Sequence, residues 1–298
     1  MDFLDELQHR ILPGDGAMGT ALIAAGVPME SCLEELCVSA PDVVRGIHEQ
    51  YINAGARLIR TNSFGANAAR LARHELDHRV GEFNWMAAQL ARDAAKGKGV
   101  LVAGSVGPLD MNGEAARAVG LDRAQIFADQ IGALLDGGAQ CVFLETFPDL
   151  EELLVALEAK QALHHCPVVC SLVPCADGTL RDGTPLAEAF ARLRDAGADV
   201  VGVNCVTPEE ALAALKSCAD CGPLAAFPSA GLPESVDGRL IYPVSPEAFT
   251  TAALALAAGG VRLLGGCCGA GPAHVAAIAE ALAVLVEKSA TQRGAEVR

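Results

Sequence analysis

Positive charge is scarce in this 298-residue chain: 22 lysines and arginines stand against 37 acidic residues, a formal charge of -15. A surface so biased repels phosphate backbones and anionic bilayers, so neither nucleic acid nor membrane is an expected partner. Long apolar runs are missing as well, with none reaching the about 18 residues that a membrane helix requires. The start, Met1-Asp2-Phe3-Leu4-Asp5-Glu6, has neither the basic residues nor the apolar stretch of an export signal, and a cytoplasmic protein is expected. No linker, charge block or low-complexity stretch divides the chain, which favours one large domain.

What is present is a hydrophobic half, 51% of the residues, with abundant alanine and glycine suited to close-packed helices and turns. Eight short β-rich runs recur: Ile11 to Asp15, Arg57 to Phe64, Val100 to Gly107, Cys141 to Phe147, Pro167 to Val173, Val200 to Cys205, Leu224 to Pro228 and Arg262 to Cys267. Between most of them lie segments of helical period, among them Pro41 to Ala54, Asp122 to Asp136, Leu150 to Leu163, Pro185 to Asp195 and Pro246 to Ala258. Several close on glycine just before the next strand, at Gly55, Gly137-Gly138, Gly197 and Gly259-Gly260, where a left-handed residue would reverse the chain. Strands without polar alternation are buried on both faces. Eight such βα units predict an α/β protein, a single-domain (β/α)8 TIM barrel over residues 1–288, preceded by a short helix at 2–10 and followed by a frayed tail at 289–298.

In a barrel of this kind the site is built at the C-terminal ends of the strands. Those ends are rich in chemistry: Gly14-Asp15-Gly16, Thr61-Asn62-Ser63, Gly104-Ser105, Glu145-Thr146, Asn204-Cys205 and Gly265-Gly266-Cys267-Cys268-Gly269. Adjacent cysteines on a strand point to opposite faces, so Cys267 and Cys268 can share an ion only where the backbone turns. Gly265, Gly266 and Gly269 are expected to supply the unusual dihedrals of that turn. With Cys205 they form a three-sulfur set with one open position, the pattern of a catalytic zinc. Buried inert thiols or a redox pair are the alternatives. Cys218 and Cys221, spaced as a ligand pair, fall before the seventh strand and away from the mouth; Cys32, Cys37, Cys141, Cys166, Cys170 and Cys175 read as core or loop thiols. The sequence Gly14-Asp15-Gly16-Ala17-Met18-Gly19 matches a dinucleotide fingerprint only formally, because no compact βαβ unit follows and Asp15 would repel a pyrophosphate. Asp15 is better read as an acceptor for a substrate ammonium, or else as a cap on the following helix. Glu145 ends an apolar strand and is either paired with an arginine or poised for a cation. Thr61, Asn62, Ser63 and Ser105 offer neutral hydrogen bonds to a substrate carboxylate or tie loops together. His274 is read as structural. Lys96, Lys98, Lys160, Lys216 and Lys288 all lie off the strand ends, against a Schiff-base aldolase or lyase.

These motifs, with Thr61-Asn62-Ser63-Phe64-Gly65-Ala66-Asn67 and Gly202-Val203-Asn204-Cys205, resemble the zinc-dependent homocysteine S-methyltransferase family from Ile11 to about Val284. The resemblance is greatest to the homocysteine module of cobalamin-dependent methionine synthase and to the module fused to methylenetetrahydrofolate reductase. It implies Zn2+ on Cys205, Cys267 and Cys268, and homocysteine as methyl acceptor. It also implies that Asp15, Gly16, Glu145 and nearby amides hold the amino-acid end, while an external methyl donor, a small molecule or a methyl-corrinoid or folate module, supplies the methyl group. That branch usually reads Pro-Asn-Ala-Gly where this chain has Pro228-Ser229-Ala230-Gly231, which leaves water or Ser229 as the resting fourth ligand. A thiol or selenol other than homocysteine, a separate corrinoid protein as donor, and a non-catalytic zinc or redox module are the competing readings. No oligomeric state follows from the sequence.

Overall fold

The computed structural model describes residues 3–110, 122–163, 165–236 and 239–296, with side chains described as far as 285 except at 236 and 239. The eight anticipated strands are all present: β1 (Leu12–Pro13), β2 (Leu58–Arg60), β3 (Leu101–Val106), β4 (Cys141–Phe147), β5 (Val168–Leu172), β6 (Val200–Asn204) and β7 (Leu224–Phe227), then, after an antiparallel hairpin of β8 (Glu234–Val236) and β9 (Arg239–Ile241), β10 (Val261–Leu264). Every ladder of the large sheet is parallel, in the order β1-β10-β7-β6-β5-β4-β3-β2, and a bridge from Gly14 to Leu58 joins its two ends. The fold is therefore a (β/α)8 barrel with helices outside. The hairpin was not anticipated: its residues show neither long alternation nor a strong apolar run.

Gly55, Gly138, Gly197 and Gly260 all have φ between 96° and 102°, so the helix-to-strand reversals use the left-handed residue that the glycines suggested. Alternate strand residues fill the barrel, among them Leu58, Ala103, Phe143, Val169, Val200 and Phe227, and Phe3 and Leu7 of the first helix, Phe3–His9, plug its N-terminal end. The opposite strand faces pack on the helices. Continuing the inward alternation toward the strand ends replaces these apolar residues by Arg60, Ser105, Glu145 and Asn204, all buried. The core thus changes from dry to polar within one layer of side chains, and that layer is the floor of the site.

β2 ends at Arg60 rather than Phe64, because residues 61–67 turn away as a loop tied to neighbouring elements. The last helix, Pro272–Glu296, runs into the segment read as a frayed tail; the side chains there, and residues 297–298, lie outside the described part. Among the described residues no helix is long and apolar enough to cross a membrane.

Candidate metal centre

Cys205 follows β6, and Cys267 and Cys268 follow β10, at the same end of the barrel. Their sulfurs lie within 4.8 Å of one another: 3.1 Å from Cys205 to Cys267 and 3.8 Å from Cys205 to Cys268. A tetrahedral ion with ~2.3 Å bonds to sulfur sets an S–S edge of ~3.8 Å. One pair is on that edge and the other is drawn inside it, so the donor set fits a thiophilic ion with a small opening of the Cys205–Cys267 pair.

The backbone explains how neighbours on a strand converge. Cys205 has φ 61° and Gly269 φ 80°, each turning the chain directly at the three sulfurs. Gly265 and Gly266 have no such dihedral, contrary to the expectation that all three glycines would. They are required by close approach instead: a Cβ on Gly265 would lie 2.2 Å from the Phe227 ring, and one on Gly266 2.2 Å from Ala270 Cβ.

Without a cation, three thiols so close cannot all ionise. Cys268 is pulled down to about 3 by hydrogen bonds from Cys205 and Cys267. Cys205 is pushed far up by its hydrogen bonds with Cys267 and Cys268 and by burial. For Cys267 the hydrogen bond with Cys205 lowers the value, but the one with Cys268 and burial outweigh it, to about 12. The cluster is a set of thiols that needs a divalent cation to hold three negative charges.

Beside it lies a second electrostatic unit, centred on a residue that the sequence reading passed over. Arg60 Nε donates to Asp15 Oδ1 at 2.8 Å, its Nη1 to Glu145 Oε2 at 2.5 Å, and its Nη2 to the carbonyls of Gly16 and Gly266. The guanidinium also lies over the Phe227 and Phe143 rings, 4.5 and 5.6 Å from their centroids. Burial opposes its charge, but Asp15 and then Glu145 hold its pKa above the ordinary value. Burial raises Asp15 to about 6 against the pull of Arg60, and raises Glu145 as well. Two carboxylates share one guanidinium, so with both ionised the unit carries one uncompensated negative charge. An arginine directly after the apolar pair Leu58-Ile59, at the last inward position of the strand, was the available signal.

The capping alternative for Asp15 is not seen: the helix Met18–Ala24 starts without a side-chain cap, and both Asp15 oxygens accept from Arg60. Thr61 Oγ1 pairs with Ser63 Oγ at 2.6 Å and accepts from Ser105 N, Ser63 Oγ donates to Ser105 O, and Ser105 Oγ donates to Glu145 Oε1 at 2.5 Å. Asn62 Nδ2 donates to Leu33 O. These residues tie loops while also lining one cavity of about 440 Å3, together with Asp15, Gly16, Glu145 and the three cysteines. Ser229 is buried with its hydroxyl donating to Val206 O at 3.2 Å. His274 is committed to Gly271 N and Val244 O, as a structural residue. Cys218 and Cys221 close the turn into β7 and do not line the cavity.

The model of the homocysteine S-methyltransferase family matches residues 12–282. The chain belongs to the homocysteine S-methyltransferase family. Among its relatives is the methionine synthase of Mycobacterium tuberculosis (strain ATCC 25618 / H37Rv), 33% identical over 95% of this chain, and that of Mycobacterium leprae (strain TN), 32% identical over the same share. The chain spans about a quarter of the length of these curated relatives, 25% of each. The metallated homocysteine methyltransferase MmuM of Escherichia coli superposes with a TM-score of 0.75 at 29% identity, covering 92% of this chain and 96% of the other. Its oxidized form gives 0.76 at 30% identity, covering 93% and 97%. For this homocysteine S-methyltransferase family member the barrel is thus matched almost end to end.

Proposed function

We propose that this protein transfers a methyl group to the thiolate of homocysteine, giving methionine, with Zn2+ held by Cys205, Cys267 and Cys268. The observation that carries the reading is the shared cavity. Three convergent sulfurs and, beside them, a carboxylate pair with one uncompensated charge line it together, which suits an amino acid whose side chain ends in a thiol. A zinc ion bound there supplies the Lewis acidity that keeps a substrate sulfur ionised near neutral pH.

The chain's own residues do the rest. The three cysteine sulfurs would hold the metal, and their electron-rich donation would leave a substrate sulfur nucleophilic. Asp15 and Glu145 accept hydrogen bonds from the α-ammonium, which neutralises the excess charge that Arg60 leaves over. The Gly16 backbone and the hydroxyls of Thr61, Ser63 and Ser105 bound the same end of the cavity, with Asn62 behind them, and we assign that rim to the carboxylate and main-chain atoms of the substrate. Holding the amino-acid end fixes the sulfur for in-line attack on a methyl group brought by an external donor, a small molecule or a methyl-corrinoid or folate module. All eleven cysteines are free, which suits a reducing compartment, and we read the protein as cytoplasmic.

Methionine formation from homocysteine, with S-methylmethionine, betaine, S-adenosylmethionine, methylcobalamin and methyltetrahydrofolate supplied in turn, tests the reading. Zinc-dependent product with at least one donor is expected, and product with none contradicts it.

The raised Asp15 gives a second expectation. Methionine has the ammonium of homocysteine but no thiol to ionise, so its affinity isolates the carboxylate end. Asp15 must be ionised to take the ammonium, and burial pushes its pKa up to about 6. Calorimetric affinity for methionine should therefore be constant from about pH 7 to about pH 8, where the ammonium is still protonated, and weaken as pH falls through about 6, by about tenfold per pH unit at the limit. The Asp15→Asn variant should bind more weakly and lose the slope; an unchanged slope would assign the titration elsewhere.

A further inference from the structure

Among the described residues, four other than glycine adopt a positive φ, and two of these follow functional positions on barrel strands: Thr146 at 63°, after Glu145, and Cys205 at 61°, after Asn204. Threonine is a poor occupant of that region, because its branched Cβ crowds the backbone. Something must hold it there. At this point β4 carries an extra residue: Leu144 pairs with Cys170 but Phe147 with Leu172, so the three-residue step on β4 faces a two-residue step on β5. The irregularity ends the regular alternation just where Glu145 turns its carboxylate to Arg60 and Ser105.

The holding group is one fully buried amide. Asn204 Oδ1 accepts from Thr146 N at 2.8 Å, and its Nδ2 donates to Thr146 Oγ1 at 2.6 Å and to Glu145 Oε2 at 3.4 Å. Asn204 belongs to β6, and β5 lies between β6 and β4, so the amide reaches past a strand. Its own chain neighbour is the metal-ligand candidate Cys205, whose N–H is fixed by Phe227 O at 3.1 Å.

We propose that Asn204 is a positioning residue that clamps Thr146 in the left-handed conformation, and through it couples the aim of the Glu145 carboxylate to the strand end that carries Cys205. This rests on the proposed function for its consequence, homocysteine binding, but the clamp itself is a property of the fold. An amide is required because one face must accept an N–H while the other donates to a hydroxyl and a carboxylate; aspartate would set a third negative charge against Glu145.

The test compares mild changes at residue 146 with removal of the amide. Thr146→Ser keeps the hydroxyl and should leave the homocysteine KM within about twofold of wild type, whereas Thr146→Val keeps the branching and loses the acceptor for Nδ2, and should raise KM by about tenfold with kcat and zinc content little changed. Asn204→Ala should raise KM at least as much, and its crystal structure should show residue 146 outside the left-handed region. Combined with Thr146→Gly, which tolerates positive φ unaided, Asn204→Ala should cost no more than about threefold, a non-additive pair. Residue 146 remaining left-handed in Asn204→Ala, or fully additive losses in the double variant, overturns the clamp. A wild-type protein that neither binds nor methylates homocysteine would overturn the proposed function instead, and the φ of residue 146 would still decide the clamp.

Discussion

Cys267→Ala is expected to abolish zinc retention after dialysis against a mild chelator, and to lower methionine formation by on the order of a thousandfold or more with any active donor. Cys267 is the most enclosed of the three proposed ligands, 9% exposed, and sits 3.1 Å from the Cys205 sulfur. Removing it leaves two sulfurs on different strand ends, too few to hold the metal in competition with a chelator. The substrate thiol would then rely on its own ionisation, which leaves only about 3% thiolate at pH 7 for a pKa near ~8.5. Cys218→Ala and Cys221→Ala serve as controls: neither lines the cavity, and both should keep full zinc content and activity within about twofold. Metal analysis beside the activity assay separates ligand loss from general unfolding. Activity that survives Cys267→Ala with zinc removed contradicts the mechanism.

Arg60→Met should have the largest effect on stability. Asp15 and Glu145 are 2% and 5% exposed and share this single guanidinium. Losing one partner of a buried ion network costs about 3–5 kcal/mol, because the carboxylates remain in a site that cannot solvate them. For a chain of this size that is a fall of roughly 10 °C in melting temperature. The sign of its pH dependence is fixed. Both carboxylates already lie above their ordinary values in the fold, and without Arg60 they rise further. A group whose folded pKa is raised stabilises the fold below its unfolded pKa and loses that contribution as pH rises through the folded value. The deficit of Arg60→Met relative to wild type should accordingly widen from pH 5 to pH 8 and narrow on acidification. Thermal melts across that range measure it, and a constant deficit would mean that the loss is one of packing on Phe143 and Phe227.

Much of this molecule was legible in the sequence because periodicity and turn chemistry agreed. The helix-glycine-strand repeat predicted the barrel, and the ends of its strands carried the cysteines, Asp15 and Glu145 to one mouth. Strand ends were less legible: β2 stops at Arg60, since the following polar residues satisfy one another and adjacent loops rather than a ladder. Arg60 escaped notice because it lies in the middle of the expected strand Arg57 to Phe64, whereas the strand stops at Arg60 and two carboxylates from other strand ends meet it there. Those partners lie 45 and 85 residues away along the chain, a pairing that no local pattern encodes. Asn204 was visible only as part of a motif, and its reach across β5 to Thr146 is a property of barrel closure. The glycines around Cys267 and Cys268 were rightly singled out, but two of them serve close packing rather than dihedral freedom. The hairpin of β8 and β9 is an insertion after β7, too short to leave a pattern.

On the proposed function, three cysteines hold one zinc with a position open to the substrate thiol. Zinc K-edge X-ray absorption on the protein, before and after addition of homocysteine, tests it most directly. One zinc per chain bound by three sulfurs at ~2.3 Å is expected, rising to four when homocysteine is added. A spectrum that homocysteine leaves unchanged would contradict it.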